Sequence, residues 1–112
     1  MNREQFTKAL KDLHAPLERQ KARTNAVGEK YGAHSKEYRI ECKKEAELIL
    51  AIEPKEHEIW CSFVAFVLQE AIENGNTTKE RALETIFGVA KDEKEDKKPA
   101  WREAYKQIKS LP

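Results

Sequence analysis

The segment Ile59–Ile72 constrains the fold of this chain most strongly, because all but three of its residues are apolar. The exceptions are Ser62, Gln69 and Glu70. A helix that is apolar over most of its circumference needs neighbours on more than one side. The segment therefore predicts a central hydrophobic helix, at about residues 55–74, in an all-α compact bundle of four to five helices.

A buried strand is the alternative for this segment. Aromatic and β-branched residues within Ile59–Leu68 also suit a β-sheet, and the fold would then be α+β. At 100° per residue, however, Ser62 and Gln69 fall on one side of a helix, and the apolar region is longer than a typical strand. Phe66 lies within that polar side, which makes it the aromatic residue of the segment that we expect at the surface.

The chain has 112 residues, which is near the common size of one domain. We predict a single all-helical domain over residues 1–112. Lys and Arg number 21 against 20 Asp and Glu, so the net charge of +1 indicates no particular partner. With four glycines and four prolines, the chain has few of the turn residues that an all-β fold needs.

A stripe at helical spacing runs through the N-terminal part of the chain. Its members are Phe6, Leu10, Leu13, Leu17, Gln20, Thr24, Val27 and Tyr31. Alternating steps of four and three predict a helix that begins at about Arg3. Pro16 lacks a backbone donor, so we predict one kinked helix or two abutting helices. The stripe is also typical of a coiled-coil seam, so a homodimer through Phe6–Tyr31 is a further prediction.

A second helix is predicted between Ser35 and Pro54. Gly32 can end the first helix, and the Ser35 side chain can cap the second. Pro54 is predicted to end this helix and to begin the central one. The run Leu48–Ile52 is wholly apolar, so we expect this end of the helix to be deeply buried.

The C-terminal part carries the most specific local signal. From Thr77 to Glu80 the sequence is a capping box, in which Thr77 caps the helix and Glu80 reaches back. The apolar face of this helix comprises Ala82, Leu83, Ile86, Phe87 and Ala90. Residues 91–98 are all charged and predict a solvated spacer, followed by an amphipathic helix at 99–111.

His57 and Cys61 have ligand spacing, because side chains at i and i+4 share a helix face. A structural zinc site needs four ligands, and no CxxC or HExxH motif supplies the others. Cysteine catalysis would need an open cleft, whereas Cys61 lies in an apolar segment. Glycine-rich phosphate motifs are also absent. We therefore predict no metal, no cofactor and no catalytic residue, and a protein that is not an enzyme.

By exclusion, the leading functional prediction is a small non-enzymatic interaction module that binds a protein partner as an adaptor, regulator or inhibitor. Small proteins of phages and mobile elements often have this character, an analogy of size alone. The predicted contact residues are aromatic side chains and the polar middle of the N-terminal stripe. They are Trp101, Tyr105, Phe66, Gln20 and Thr24. For Trp101 and Tyr105, the alternative is that their helix folds back onto its own bundle.

Nucleic-acid binding is the alternative function, because the first 44 residues hold eleven Lys or Arg against six Asp or Glu. The side chains that would contact phosphates are Lys8, Lys11, Arg19, Lys21, Arg23, Lys30, Arg39, Lys43 and Lys44. Interleaved acidic residues, and the lack of aromatic residues placed among the basic ones to stack on bases, favour a solvated helix face instead.

The predicted compartment is the cytoplasm. Charged residues break up any early apolar run of a signal peptide, and both cysteines lie in segments predicted to be helical and partly buried. The longest unbroken apolar run, Phe63–Leu68, is far shorter than the roughly 20 residues of a membrane-spanning helix.

Overall fold

The computed structural model describes residues 2–112, which form four α-helices and no strand. The helices are α1 (Arg3–Tyr31), α2 (Lys36–Glu73), α3 (Lys79–Lys91) and α4 (Lys98–Lys109). The all-α prediction is confirmed. The α+β alternative is wrong, because Ile59–Leu68 lies within α2.

Two helices begin where side chains satisfy the free backbone donors of the first turn. The Gln5 backbone N–H donates to Asn2 Oδ1 at 2.8 Å, and the Asn2 N–H donates to Gln5 Oε1 at 3.0 Å. This reciprocal pair starts α1 at Arg3, as predicted. The Tyr38 N–H donates to Ser35 Oγ at 3.1 Å, which confirms Ser35 as the cap of α2.

The end of α2 is a Schellman motif. The Asn76 N–H donates to the Ala71 carbonyl at 2.9 Å, and the Gly75 N–H donates to the Ile72 carbonyl at 3.1 Å. Gly75 has φ +75°, a left-handed conformation that glycine adopts without a Cβ clash. The predicted end of the central helix at about residue 74 is therefore confirmed.

Helix α3 begins one residue later than the predicted capping box implied, because its cap is Thr78 and not Thr77. The N-cap is Thr78, whose Oγ1 accepts the Arg81 N–H at 3.2 Å, and α3 begins at Lys79. Thr77 and Thr78 carry the same side chain. The sequence alone could not decide which of them takes the extended backbone conformation of a cap, which Thr78 has.

The prediction that Pro54 ends a helix is wrong. Helix α2 continues through Pro54, so the central segment is the C-terminal half of a 38-residue helix and not a separate one. Helix α1 likewise continues through Pro16. Both prolines are exposed, and the residue four before Pro54 is the exposed Leu50. Water can therefore solvate the carbonyl that loses its helical donor.

The described chain divides into two compact units, which cut across α1 and α2. The three-helix unit comprises the residues up to Thr7 together with His57–Pro112, and the two-helix unit comprises Lys8–Glu56. Each unit is described by itself below. The prediction of one domain over residues 1–112 stays a prediction.

The core of the three-helix unit is built from small and β-branched side chains together with one tryptophan. Its buried members are Cys61, Ala65, Ala82, Ile86, Trp101, Ala104 and Ile108. Ile86 and Ile108 are fully buried, and each burial contributes roughly 1.5–3 kcal/mol. On another side of α2, Phe63 stacks on Phe6 with ring centroids 4.0 Å apart. The central segment therefore has neighbours on more than one side, as its composition predicted.

The two-helix unit packs the N-terminal part of α2 against α1 along one narrow stripe. Leu17 and Ile52 are buried, at 5% and 7% exposure. The expectation that Leu48–Ile52 is deeply buried is wrong, because Ile49 is 45% and Leu50 68% exposed. A pair of helices covers only one face of each, so consecutive apolar residues cannot all be buried within this unit.

Two helical glycines provide a matched test of helix packing. Gly88→Ala should raise the free energy of unfolding by roughly 0.5–1 kcal/mol, because alanine is the better helix former and nothing lies near the added Cβ. Gly28→Ala should lose this gain, since its Cβ would stand 2.9 Å from Tyr38 Cε2. Urea unfolding followed by circular dichroism measures both. Equal stabilisation by the two substitutions would contradict the close approach at Gly28.

Candidate functional site

Gln20 and Thr24, which were predicted to contact a partner, lie against Glu41 within the two-helix unit. Gln20 Nε2 donates to Glu41 Oε2 at 2.7 Å and to Thr24 Oγ1 at 3.2 Å. Thr24 Oγ1 donates to the Gln20 carbonyl at 2.8 Å. Thr24 is 3% and Glu41 5% exposed. The polar middle of the N-terminal stripe is therefore a buried hydrogen-bonded layer.

Glu41 is held as a carboxylate by its neighbours. The hydrogen bond from Gln20 lowers the Glu41 pKa most, burial opposes that shift, and Lys44 and Arg23 lower the pKa further. Glu41 Oε1 lies 3.3 Å from Arg23 Nε and 3.4 Å from Lys44 Nζ. Both basic side chains are more than 40% exposed, so the charge of the buried carboxylate is matched at the surface.

His57 and Cys61, which share a helix face as their spacing predicted, are in contact. Cys61 Sγ lies 3.5 Å from His57 Nε2, and the same nitrogen lies 3.1 Å from the Lys97 carbonyl oxygen. A carbonyl only accepts, so Nε2 must carry a proton in that contact. The imidazole therefore links α2 to the segment before α4 and is not positioned as a base for the thiol.

Cys61 is a poor nucleophile in this environment. Burial raises the pKa of its thiol to about 11, and the charges of Glu93 and Glu58 add to the shift. Among residues 2–112, no group of three or more His, Cys, Asp or Glu side chains is arranged to hold a metal ion.

The predicted nucleic-acid contacts all lie in the two-helix unit and are exposed. Three of them are in ion pairs with acidic neighbours: Arg23 and Lys44 with Glu41, and Lys21 with Glu18. Nucleic-acid binding through this face stays a prediction.

Phe66, expected at the surface, is half-buried. Its ring stacks on Phe63 with centroids 6.2 Å apart, and Phe63 in turn stacks on Phe6. The neighbouring Trp60 meets Phe6 edge-on at 4.9 Å and is 46% exposed. The cluster of Phe6, Trp60, Phe63 and Phe66 fills the side of α2 next to the first turn of α1.

No observation tests self-association of the chain. The homodimer through Phe6–Tyr31 therefore stays a prediction.

Trp101 and Tyr105 pack within their own unit, which was the alternative for the C-terminal helix. Trp101 is 8% exposed and belongs to the core, and Tyr105 is half-buried against it. Trp101 Nε1 is buried and has no hydrogen-bond partner among the described residues. Both aromatic rings nevertheless line an open groove at the surface of α3 and α4.

This groove, called the α3–α4 groove below, is the best candidate site in the described chain. Its volume is about 650 Å³. The floor is apolar and aromatic, formed by Ile86, Phe87, Ala90, Trp101 and Tyr105. The rim is cationic, formed by Lys91, Lys98, Arg102 and Lys106. No acidic residue is among the described side chains that line it.

Most of the residues that line this groove were not predicted as site residues from the sequence. Phe87 was assigned to the apolar face of its helix, but its side chain is 66% exposed. The signal for the rim was present, because Lys98, Arg102 and Lys106 recur every four residues beside Trp101. Only the position of α3 next to α4 shows that this row borders an apolar surface.

Two of the rim cations have weak local partners. Lys98 Nζ lies 2.9 Å from Glu95, and Lys106 Nζ lies 3.4 Å from Glu103; both carboxylates are more than 70% exposed. Such exposed pairs contribute roughly 0–1 kcal/mol, so a ligand can compete with them. Within residues 2–112, Lys91 and Arg102 form no salt bridge.

Comparison of the chain with protein-family models, curated proteins and solved structures found no significant match. No relative therefore indicates a ligand or a reaction for these residues. Within the described residues, no helix combines the length and the hydropathy needed to cross a membrane.

Glu41 should make the stability of the protein pH-dependent. Its pKa is lower in the folded state, so the carboxylate contributes stability above its ordinary pKa, and that contribution is lost as the pH falls through the lowered value. The stability difference between wild type and Glu41→Gln should therefore shrink between about pH 7 and pH 3. Urea unfolding across this range measures it, and Glu29→Gln, at an exposed position of the same unit, is the control. A constant difference would contradict the role of Glu41.

Cys61 should resist thiol reagents in the folded protein. With a pKa of about 11, only about 0.1% of the thiol is ionised near pH 8, and the side chain is 1% exposed. The Cys42→Ser variant should therefore react with a disulfide reagent only after unfolding. The Cys61→Ala variant, which keeps the half-buried Cys42, should react faster in the folded state. Rapid labelling of folded Cys42→Ser would contradict the burial of Cys61.

Proposed function

We propose that this protein is a small non-enzymatic module that binds a segment of a partner protein in the α3–α4 groove. One observation carries the proposal: an open groove combines an apolar floor with a rim of four cations and no acidic side chain among the described lining residues. Such a surface complements a segment that presents apolar side chains flanked by carboxylates. Whether the protein acts as an adaptor, a regulator or an inhibitor depends on the activity of the partner protein that it binds.

Phe87 supports a macromolecular ligand. Its side chain is two-thirds exposed, and covering it would contribute about 1–2 kcal/mol to binding. Tyr105 supplies rigid aromatic surface beside it, which is typical of residues that dominate protein interfaces, and Trp101, at 8% exposure, adds a small part. The three aromatic residues thus form one patch, and the cations surround it.

The absence of catalysis is part of the same proposal. It is supported by the buried, protonated Cys61 thiol and by the His57 imidazole, whose Nε2 proton is directed to a backbone carbonyl. We also propose that the protein resides in the cytoplasm. Cys42 and Cys61 are both free thiols, which suits a reducing compartment.

A selection from a displayed random peptide library tests the proposal. The intact 112-residue chain should enrich peptides that bind with micromolar affinity. Phe87→Ser should reduce that affinity by about tenfold, because it removes apolar surface from the floor. Leu50→Ser is the matched control, since Leu50 is 68% exposed and lies outside the groove. Binding measured by fluorescence anisotropy should be unchanged in the control.

Two outcomes would contradict the proposal. If no peptide is enriched, or if Phe87→Ser and Leu50→Ser bind the enriched peptides equally well, the groove does not bind protein segments. If a mixed-sequence oligonucleotide displaces the peptides in a strongly salt-dependent manner, the cations of the rim contact phosphates instead, and nucleic-acid binding becomes the better proposal.

A further inference from the structure

The cations on one wall of the α3–α4 groove form a regular row. Lys98, Arg102 and Lys106 stand at i, i+4 and i+8 of α4, so their Cα atoms are spaced about 6 Å apart along the helix axis. The fourth cation, Lys91, lies at the end of α3. A ligand that follows this wall meets a positive charge at each turn of α4.

Arg102 is the centre of that row and forms no salt bridge with a described residue. Its guanidinium can bind a carboxylate through two parallel hydrogen bonds, which a lysine cannot do. The Glu95 and Glu103 partners of the flanking lysines are exposed and are readily replaced. The row is therefore available to three carboxylates at matching distances.

The walls of the groove decide the backbone conformation of the ligand. Both walls are helices, whose backbone N–H and C=O groups are bonded within α3 and α4 except at the helix ends. An extended segment would find no strand edge to pair with, and its own backbone groups would be left unpaired against the apolar floor. A helix satisfies its backbone internally and presents only side chains.

We infer that the occupant of the groove is an amphipathic α-helix that lies along α4, with its apolar face on Phe87, Trp101 and Tyr105 and with carboxylates at every fourth residue opposite Lys98, Arg102 and Lys106. This inference rests on the proposed function and specifies the ligand of the same site. The volume of about 650 Å³ accommodates several apolar side chains, within the range of about 300–1,000 Å³ for ligand sites.

Two synthetic peptides of identical composition test the inference on the intact 112-residue chain. The first carries three glutamates at i, i+4 and i+8 beside a leucine stripe in an alanine-rich helix. The second carries the same glutamates at alternate positions, i, i+2 and i+4, which align on one side of an extended chain but not of a helix. Fluorescence anisotropy should show that the first peptide binds about tenfold more tightly than the second.

The contribution of Arg102 is tested separately. Arg102→Glu should weaken binding of the first peptide by about tenfold, and a peptide with lysines in place of the three glutamates should bind this variant better than it binds wild type. Arg81→Glu is the control, because Arg81 is an exposed arginine of α3 that does not line the groove. It should leave the affinity within about twofold of wild type.

Each contrary result has a distinct meaning. If the second peptide binds as tightly as the first, or if Arg102→Glu and Arg81→Glu have equal effects, the helical ligand is wrong while peptides selected from the library still support protein binding. If neither synthetic peptide binds, although library peptides do so in a Phe87-dependent manner, the acidic helix is again excluded. Failure of the library peptides as well would exclude the proposed function itself.

Discussion

The packing of small side chains between α2, α3 and α4 determines the form of the three-helix unit. Ala65, Ala82 and Ala104 are at most 3% exposed, and an alanine Cβ lets two helices approach closely. Larger side chains at these positions would separate the helices, because a packed interior has no space for them. This close packing holds α4 against α2 and α3 in the three-helix unit. It also places α3 and α4 side by side as the two walls of one groove.

The two-helix unit depends on a different interaction. Its buried apolar contacts are few, and the layer formed by Gln20, Thr24 and Glu41 lies in the middle of its seam. If α1 slipped by one turn along α2, Glu41 would lose its Gln20 donor while remaining away from water, which is costly for a charged group. A polar layer of this kind fixes the alignment of two helices more strictly than leucine contacts do.

The α3–α4 groove combines two properties that make it suitable for binding. The exposed ring of Phe87 offers apolar surface to a ligand, and the surrounding cations discourage the same surface from meeting another copy of itself, since like charges would face each other. In the proposed function, the rim would provide selectivity as well as affinity. The proposal favours an acidic segment over a basic or purely apolar one.

The sequence by itself determined the features that depend on neighbouring residues. The start of α1 at Arg3 and the end of α2 near residue 74 are local features, because a capping side chain or a glycine with positive φ acts within one turn of the helix. Only the tertiary structure decided whether Pro54 ends a helix, and which apolar residues are covered. Phe87 and Trp101 both read as apolar positions of amphipathic helices, yet one is exposed and the other is buried, because burial depends on which helix packs against that face.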